Sequence, residues 1–159
     1  MTEAAVDFSV VAYREEGVWQ VAPLPTRVAN DLDTLVQALR PWPSDTGALG
    51  LVSVDEDFFI IVRVFGSRVR VLLSDITAAT EWPIASSVID LLELPEPHDD
   101  EEPAPAGDLG IVADLGVSAM DLGVMCDDID LYPDEALTVV ARKLGFEKQF
   151  HAAVQAVAV

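Results

Sequence analysis

Cysteine occurs once and histidine twice among 159 residues, and lysine and arginine together only nine times. A single cysteine, Cys126, excludes an internal disulfide framework and fits a reducing compartment. His98, His151 and Cys126 are scattered along the chain, so no zinc-ligand spacing exists. Nine basic residues against 28 acidic ones leave a net charge of −19. Nucleic acids bind proteins mainly through Lys and Arg that displace counterions, and this chain offers few of them. Long apolar runs are also missing. None is long enough to span a bilayer, and Met1 to Phe8 has neither the basic region nor the apolar stretch of a signal peptide. The expectation is a cytoplasmic protein that binds neither nucleic acid nor membrane directly, with no metal and no cofactor.

What the sequence does have is core material. Half of it, 51%, is hydrophobic, enough for a chain of this length to bury a proper core. Phe8 to Arg14 and Val18 to Ala22 are rich in β-branched and aromatic residues and are separated by Glu15-Glu16-Gly17, which predicts a hairpin. Asn30-Asp31 then offers a cap to a helix whose apolar face is Leu32, Leu35, Val36 and Leu39. Pro41 and Pro43, on either side of Trp42, stop it. Leu49 to Val54, Asp57 to Phe65 and Arg68 to Leu73 predict three consecutive strands. Phe58 to Val62 is apolar without a break, as in a central strand covered on both faces. Ser74 can cap a short helix through Thr80. Pro83 suits the first turn of another, with Ile84, Val88, Leu91 and Leu92 as its apolar face.

From Glu93 to Asp108 the pattern breaks. Four prolines (Pro95, Pro97, Pro103 and Pro105) stand among seven acidic residues. Proline removes ladder and helix options and like charges repel, so a solvated linker is expected. Beyond it the chain reads helical. Ser118 caps a helix carrying Met120, Val124 and Met125. Pro133-Asp134-Glu135 starts a second, with Leu137, Val140, Ala141 and Leu144 on one face. Gly145 closes it, and Phe146, Phe150, Ala153 and Val157 belong to a last helix. The predicted fold class is α+β: an antiparallel sheet of about five strands with packed helices and a C-terminal all-helical unit. In domain terms, residues 1–92 form the sheet domain, 93–108 the acidic Pro-rich linker, and 109–159 a helical unit that either packs on the sheet domain or stands apart from it.

Catalytic motifs are scarce. Counting from Asp128, an EF-hand would need Gly at the sixth position and Glu at the twelfth, where this chain has Pro133 and Val139. The carboxylates from Asp127 to Glu135 instead suit the positive end of the helix starting at Pro133. Cys126 stands beside Asp127 and Asp128, which disfavour a thiolate. There is no Gly-x-Ser-x-Gly elbow, Walker loop or dinucleotide fingerprint. A helix-turn-helix reading of Pro133 to Val157 leaves its second helix only Lys148 and His151 for phosphate contacts, so helix packing explains the segment better.

The few basic residues carry the main site hypothesis. Gly66-Ser67 suits a type II′ turn, which would set Phe65 opposite Arg68 and Arg63 opposite Arg70. Arg63, Arg68 and Arg70 would then share one hairpin face, a candidate contact for an anion or a partner's carboxylate. Opposed like charges are unfavourable unless something anionic lies between them. The competing account is pairing with the protein's own Asp and Glu.

The layout resembles a known family. The matching parts are the Phe8–Ala22 hairpin, the Asp57–Ser74 strand pair leading into Ser74-Asp75, the acidic Pro-rich break, and the run from Pro133-Asp134-Glu135-Ala136-Leu137 to Leu144-Gly145-Phe146. Together these resemble the actinobacterial tRNA adenosine deaminase-associated proteins. The resemblance covers most of the chain outside the linker and brings no catalytic residue with it. What it implies is an association with the enzyme that edits the wobble adenosine of tRNA. Zinc nucleobase deaminases need His-x-Glu and a later Pro-Cys-x-x-Cys. Here Asp100 stands two residues after His98 and Ala153 two after His151, and the one cysteine follows no proline.

The first expectation is therefore a non-enzymatic accessory protein that contacts a protein partner, the tRNA adenosine deaminase being the one the resemblance implies. The alternative is a small-molecule or anion-binding module on the Arg63, Arg68 and Arg70 face. A third reading, an enzyme using paired carboxylates, requires a deep pocket with two close acids of perturbed titration.

Overall fold

The computed structural model describes residues 6–42, 44–98, 100–128 and 130–157, with Val157 by its backbone alone. The readings placed on Met1–Ala5, Pro43, Asp99, Ile129 and the Val157 side chain lie outside the described residues. The strands are β1 (Val6–Glu15), β2 (Val18–Pro23), β3 (Ala48–Val54), β4 (Phe58–Phe65), β5 (Arg68–Leu73) and β6 (Ala106–Gly107). The helices are α1 (Leu32–Leu39), α2 (Pro83–Leu91), α3 (Ala119–Asp127), α4 (Pro133–Leu144) and α5 (Glu147–Val157). The strands form one sheet in the order β2-β1-β3-β4-β5-β6, every neighbouring pair antiparallel. The α+β architecture with C-terminal helices is the one the sequence predicts.

Strand alternation sends side chains to two separate cores. Val11, Val52, Phe58, Ile60, Val62 and Leu73 meet Leu35 and Leu39 of α1 and Ile84 and Val88 of α2 on one face. Phe8, Val10, Leu49, Leu51, Ile61 and Leu72 meet Leu137, Val140, Phe146 and Phe150 on the other. The sheet is thus the middle of three layers. Buried on both sides, β3 and β4 must be apolar at nearly every position, which explains the unbroken Phe58–Val62 run. The C-terminal helices share a core with the sheet.

Caps set the helix starts. The Asp31 side chain accepts from Thr34 N–H at 2.8 Å, and Ser118 accepts from Asp121 N–H at 3.1 Å. The Glu135 carboxylate accepts from Tyr132 N–H at 2.9 Å, and Pro133 occupies the first turn of α4. α1 ends at Leu39 and α4 closes at Gly145.

Four expectations need correction. The cap of the Ile76–Thr80 turn is Asp75, whose Oδ1 accepts from Thr77 N–H at 2.9 Å; Ser74 Oγ instead accepts from Phe59 N–H at 2.9 Å and extends the sheet ladder. On α2 the buried residues are Ile84, Ala85, Val88 and Ile89, while Leu91 is 49% exposed, because the helix lies on the sheet between two adjacent apolar rows and Leu91 falls outside both. On α3 Leu122 is buried, whereas Met120 and Val124 point outward. That helix is apolar on both sides, so spacing could not choose its inner face. Finally, the stretch read as linker ends in a strand. Ile76 N–H donates to Ala104 O at 2.7 Å, and Ala106 and Gly107 pair with Leu73 and Leu72. Gly107 has φ +107°, and a Cβ there would collide with the Val71 carbonyl oxygen, so only glycine fits.

Among the described residues no helix is long and apolar enough to cross a membrane. The α5 contact is dominated by Phe146 on Trp19 (ring centroids 4.9 Å apart) and Phe150 edge-on to Phe8 (5.6 Å). Phe150→Ala is expected to destabilise the fold by about 3–5 kcal/mol, since it empties a fully enclosed ring site. Phe65→Ala, at a 59% exposed position, should stay within about 0.5 kcal/mol of wild type. Urea denaturation of the two variants checks both.

Candidate functional site

The β4–β5 hairpin turns at Gly66-Ser67. Gly66 has φ +63° and Ser67 does not enter the positive region, as a type II′ turn demands. The register is the expected one: Phe65 opposes Arg68, Val64 opposes Val69, and Arg63 opposes Arg70. Arg63, Phe65, Arg68 and Arg70 therefore project from one face, the face that the C-terminal helices cover further along the sheet.

Two of the three arginines are fully engaged within the protein. Arg63 is only 6% exposed. Its Nη1 and Nη2 grip the Asp114 carboxylate at 2.6 and 2.9 Å, Nη1 also donates to Ile111 O at 2.8 Å, and Nε donates to Thr46 O at 2.9 Å. Arg70 donates from Nε to Asp108 Oδ2 at 2.7 Å and from Nη2 to Gly110 O at 2.9 Å. The unfavourable Arg63–Arg70 opposition is thus resolved by two carboxylates from the segment that crosses the sheet end after β6. Of these three arginines only Arg68 is exposed and without an ion pair among the described residues. A depression of about 220 Å³ lies between Arg63, Phe65, Arg68, Arg70 and Asp114. Asp114 offsets Arg63 and Asp108 offsets Arg70, so the depression presents one free guanidinium, that of Arg68, beside an exposed phenyl ring. The Asp108 and Asp114 partners lie 38 and 51 residues from their arginines, beyond the reach of any local spacing rule.

The other candidates resolve into structural work. Burial pushes the Cys126 thiol up to about 12, with Asp127 adding to the effect, so it is protonated at neutral pH. Among the described residues no group of three or more His, Cys, Asp or Glu is arranged to hold a metal ion. Asp128 Oδ1 accepts from Asp130 N–H at 2.9 Å, and Asp134 and Glu135 lie in the first turn of α4. In the α4–α5 pair, Phe146 and Phe150 are buried against the sheet. On the outer side, Arg142 contacts Glu147 at 3.1 Å and His151 lies 3.7 Å from the same carboxylate.

Comparison with known proteins is consistent along most of the chain. A family model described as Rv3753c-like tRNA adenosine deaminase-associated protein matches residues 7–147, which includes the whole sheet and the arginine hairpin. Protein Rv3753c of Mycobacterium tuberculosis (strain ATCC 25618 / H37Rv) is 41% identical over 150 residues, spanning 92% of this chain and 87% of that relative. No solved structure matches.

The Arg63–Asp114 pair has a titration signature. The hydrogen bonds from Arg63 hold the Asp114 carboxyl below its ordinary value of 3.8, against the opposing effect of burial. A carboxyl depressed in the folded state contributes stability above its unfolded pKa, and that contribution is lost as pH falls through the folded value. Asp114→Asn should therefore flatten the fall in urea midpoint between about pH 5 and about pH 2 relative to wild type. Denaturation of both proteins across that range measures the difference; parallel curves would show that the pair is not coupled to folding.

Proposed function

Because the chain belongs to the actinobacterial Rv3753c-like tRNA adenosine deaminase-associated family, we propose that it is a non-enzymatic accessory protein acting by direct contact with a tRNA adenosine deaminase. Family membership is the observation that carries this reading. The charge supports it. An enzyme that binds tRNA must present Lys and Arg to phosphate, and a chain of net charge −19 complements such a surface. Steering of this kind acts mostly on the association rate and weakens with salt. An acidic protein seated on the RNA-binding side of the enzyme would also compete with tRNA.

The same residues argue against the chemistry being its own. Zinc-dependent base deamination needs three protein ligands on the metal, at least two of them thiolates, and a glutamate that shuttles protons. This sequence has one cysteine, held protonated, and neither histidine is followed by the required glutamate. The rival reading, an anion-binding module on Arg63, Arg68 and Arg70, is left with Arg68 as its one uncommitted guanidinium. A cytoplasmic location goes with the accessory reading, since the deaminase works on tRNA.

Co-purification of this chain with the tRNA adenosine deaminase of the same organism is the direct test. The complex is expected at low salt and in reduced yield at moderate salt; recovery at neither would overturn the proposal. The chain alone should form no inosine in a wobble-adenosine tRNA substrate.

A further inference from the structure

α3 is sided in an unusual way. Leu122 is completely buried, and Met125 and Cys126 pack against the same core. Met120 and Val124, four residues apart and so on one row of the helix, are 78% and 63% exposed. Asp121 and Asp127 flank this row, yet two adjacent apolar side chains on one helix row are ordinarily turned toward a neighbour. Here, among the described residues, only the inner side is covered. An exposed methionine is also a side chain that adapts readily to a partner's contour.

The C-terminal end of α3 leads to Asp128, which lines a cavity of about 260 Å³. Met125 and the half-exposed Tyr132 supply apolar walls, and the carboxylates around it are Glu56, Asp57, Asp75 and Asp128. No lysine or arginine is among its lining residues. Asp75 is used in capping the Ile76–Thr80 turn and Asp128 in binding Asp130 N–H. The Asp57 carboxylate accepts no hydrogen bond from the described residues. Partial burial, followed by the charges of Asp75, Asp55 and Glu81, raises its pKa. Negative charge is therefore concentrated here without a counterpart, beside an apolar helix row without a cover.

We propose that the outer face of α3 and this cavity form one docking surface for a basic protein. An apolar side chain of the partner covers Met120 and Val124, and a neighbouring Lys or Arg enters the cavity, its stem along Met125 and Tyr132 and its charge among Asp57 and Asp128. Long basic side chains combine an apolar stem with a charged head in this way. A second copy of the chain is a poor occupant, because each copy brings a charge of −19. The inference rests on the accessory reading to the extent that the tRNA-binding deaminase is taken as the basic protein.

Two titrations separate the surface from the identity of the partner. The first uses a synthetic amphipathic leucine–lysine peptide as probe, followed by fluorescence anisotropy. Wild type should bind it. Met120→Glu combined with Val124→Glu should weaken binding by about tenfold or more, although the change adds negative charge that general attraction would reward. Asp57→Asn should weaken it by about two- to fivefold, and Arg68→Ala should leave it unchanged. Urea midpoints confirm that each variant is folded. No binding by wild type, equal binding by the double glutamate variant, or self-association of wild type that this variant abolishes would each overturn the surface. The second titration repeats the series with the deaminase. If the deaminase binds wild type and the double variant equally, the surface is wrong and the association stands. If the deaminase fails to bind while the peptide shows the expected sensitivity, the surface stands and the association is wrong.

Discussion

The buried guanidinium of Arg63 lies where three parts of the chain meet. It comes from the central strand β4, and it reaches Thr46 ahead of β3, and Ile111 and Asp114 in the segment that carries the chain to the second face of the sheet. Taking such a group out of water costs several kcal/mol unless its donors are met, and here they are met by two carbonyls and a bidentate carboxylate. The arrangement fixes where the 108–115 segment crosses the sheet, and that crossing fixes where Leu122, Leu137 and Phe146 can land on it. A hydrocarbon side chain at position 63 would fill space but leave Ile111 O and Thr46 O without this donor. The pair therefore serves position more than net stability.

Charge in this chain is spent locally before it acts at long range. Asp7 accepts from Ser53 Oγ and Glu56 N–H, Asp31 and Asp75 cap their helical turns, Asp108 accepts from Gly110 N–H while holding Arg70, and Glu135 accepts from Tyr132 N–H. These acids satisfy backbone donors that would otherwise need water. Others gather in the acidic Pro-rich stretch and around the α3–α4 junction, while Asp108 and Asp114 pair with two of the three hairpin arginines. A single net charge conceals how many of these acids are already committed to one local partner.

Much of the fold was legible because its signals are local. The Phe8–Ala22 hairpin, the Gly66-Ser67 turn, the cap at Ser118 and the Pro133 helix start each declare themselves within a few residues. The exact opposition of Arg63 and Arg70 followed from turn chemistry and strand period alone. What could not be read depends on distant partners or on missing contrast. Asp114 and Asp108 reach the arginines only through the folded path of the chain. A strand of two residues, Ala106 and Gly107, has no period to detect. The inner face of α3 could not be chosen because Leu122 and Val124 are equally apolar, and only the finished sheet decides between them.

The second face of the sheet has a further consequence, in the order in which the protein is made. Phe8, Val10, Leu49, Leu51, Phe59, Ile61 and Leu72 are all in place once β5 is complete, yet the residues that cover them lie between 109 and 153. On the ribosome the first core can close with α1 and α2 while this broad apolar surface is still bare. A nascent chain arrested in the acidic stretch would carry half of its sheet open to water and to other chains. The intervening run of prolines and carboxylates, from Glu93 to Pro103, is self-repelling and poor in strand-forming residues, so it adds no further apolar surface before the last helices arrive.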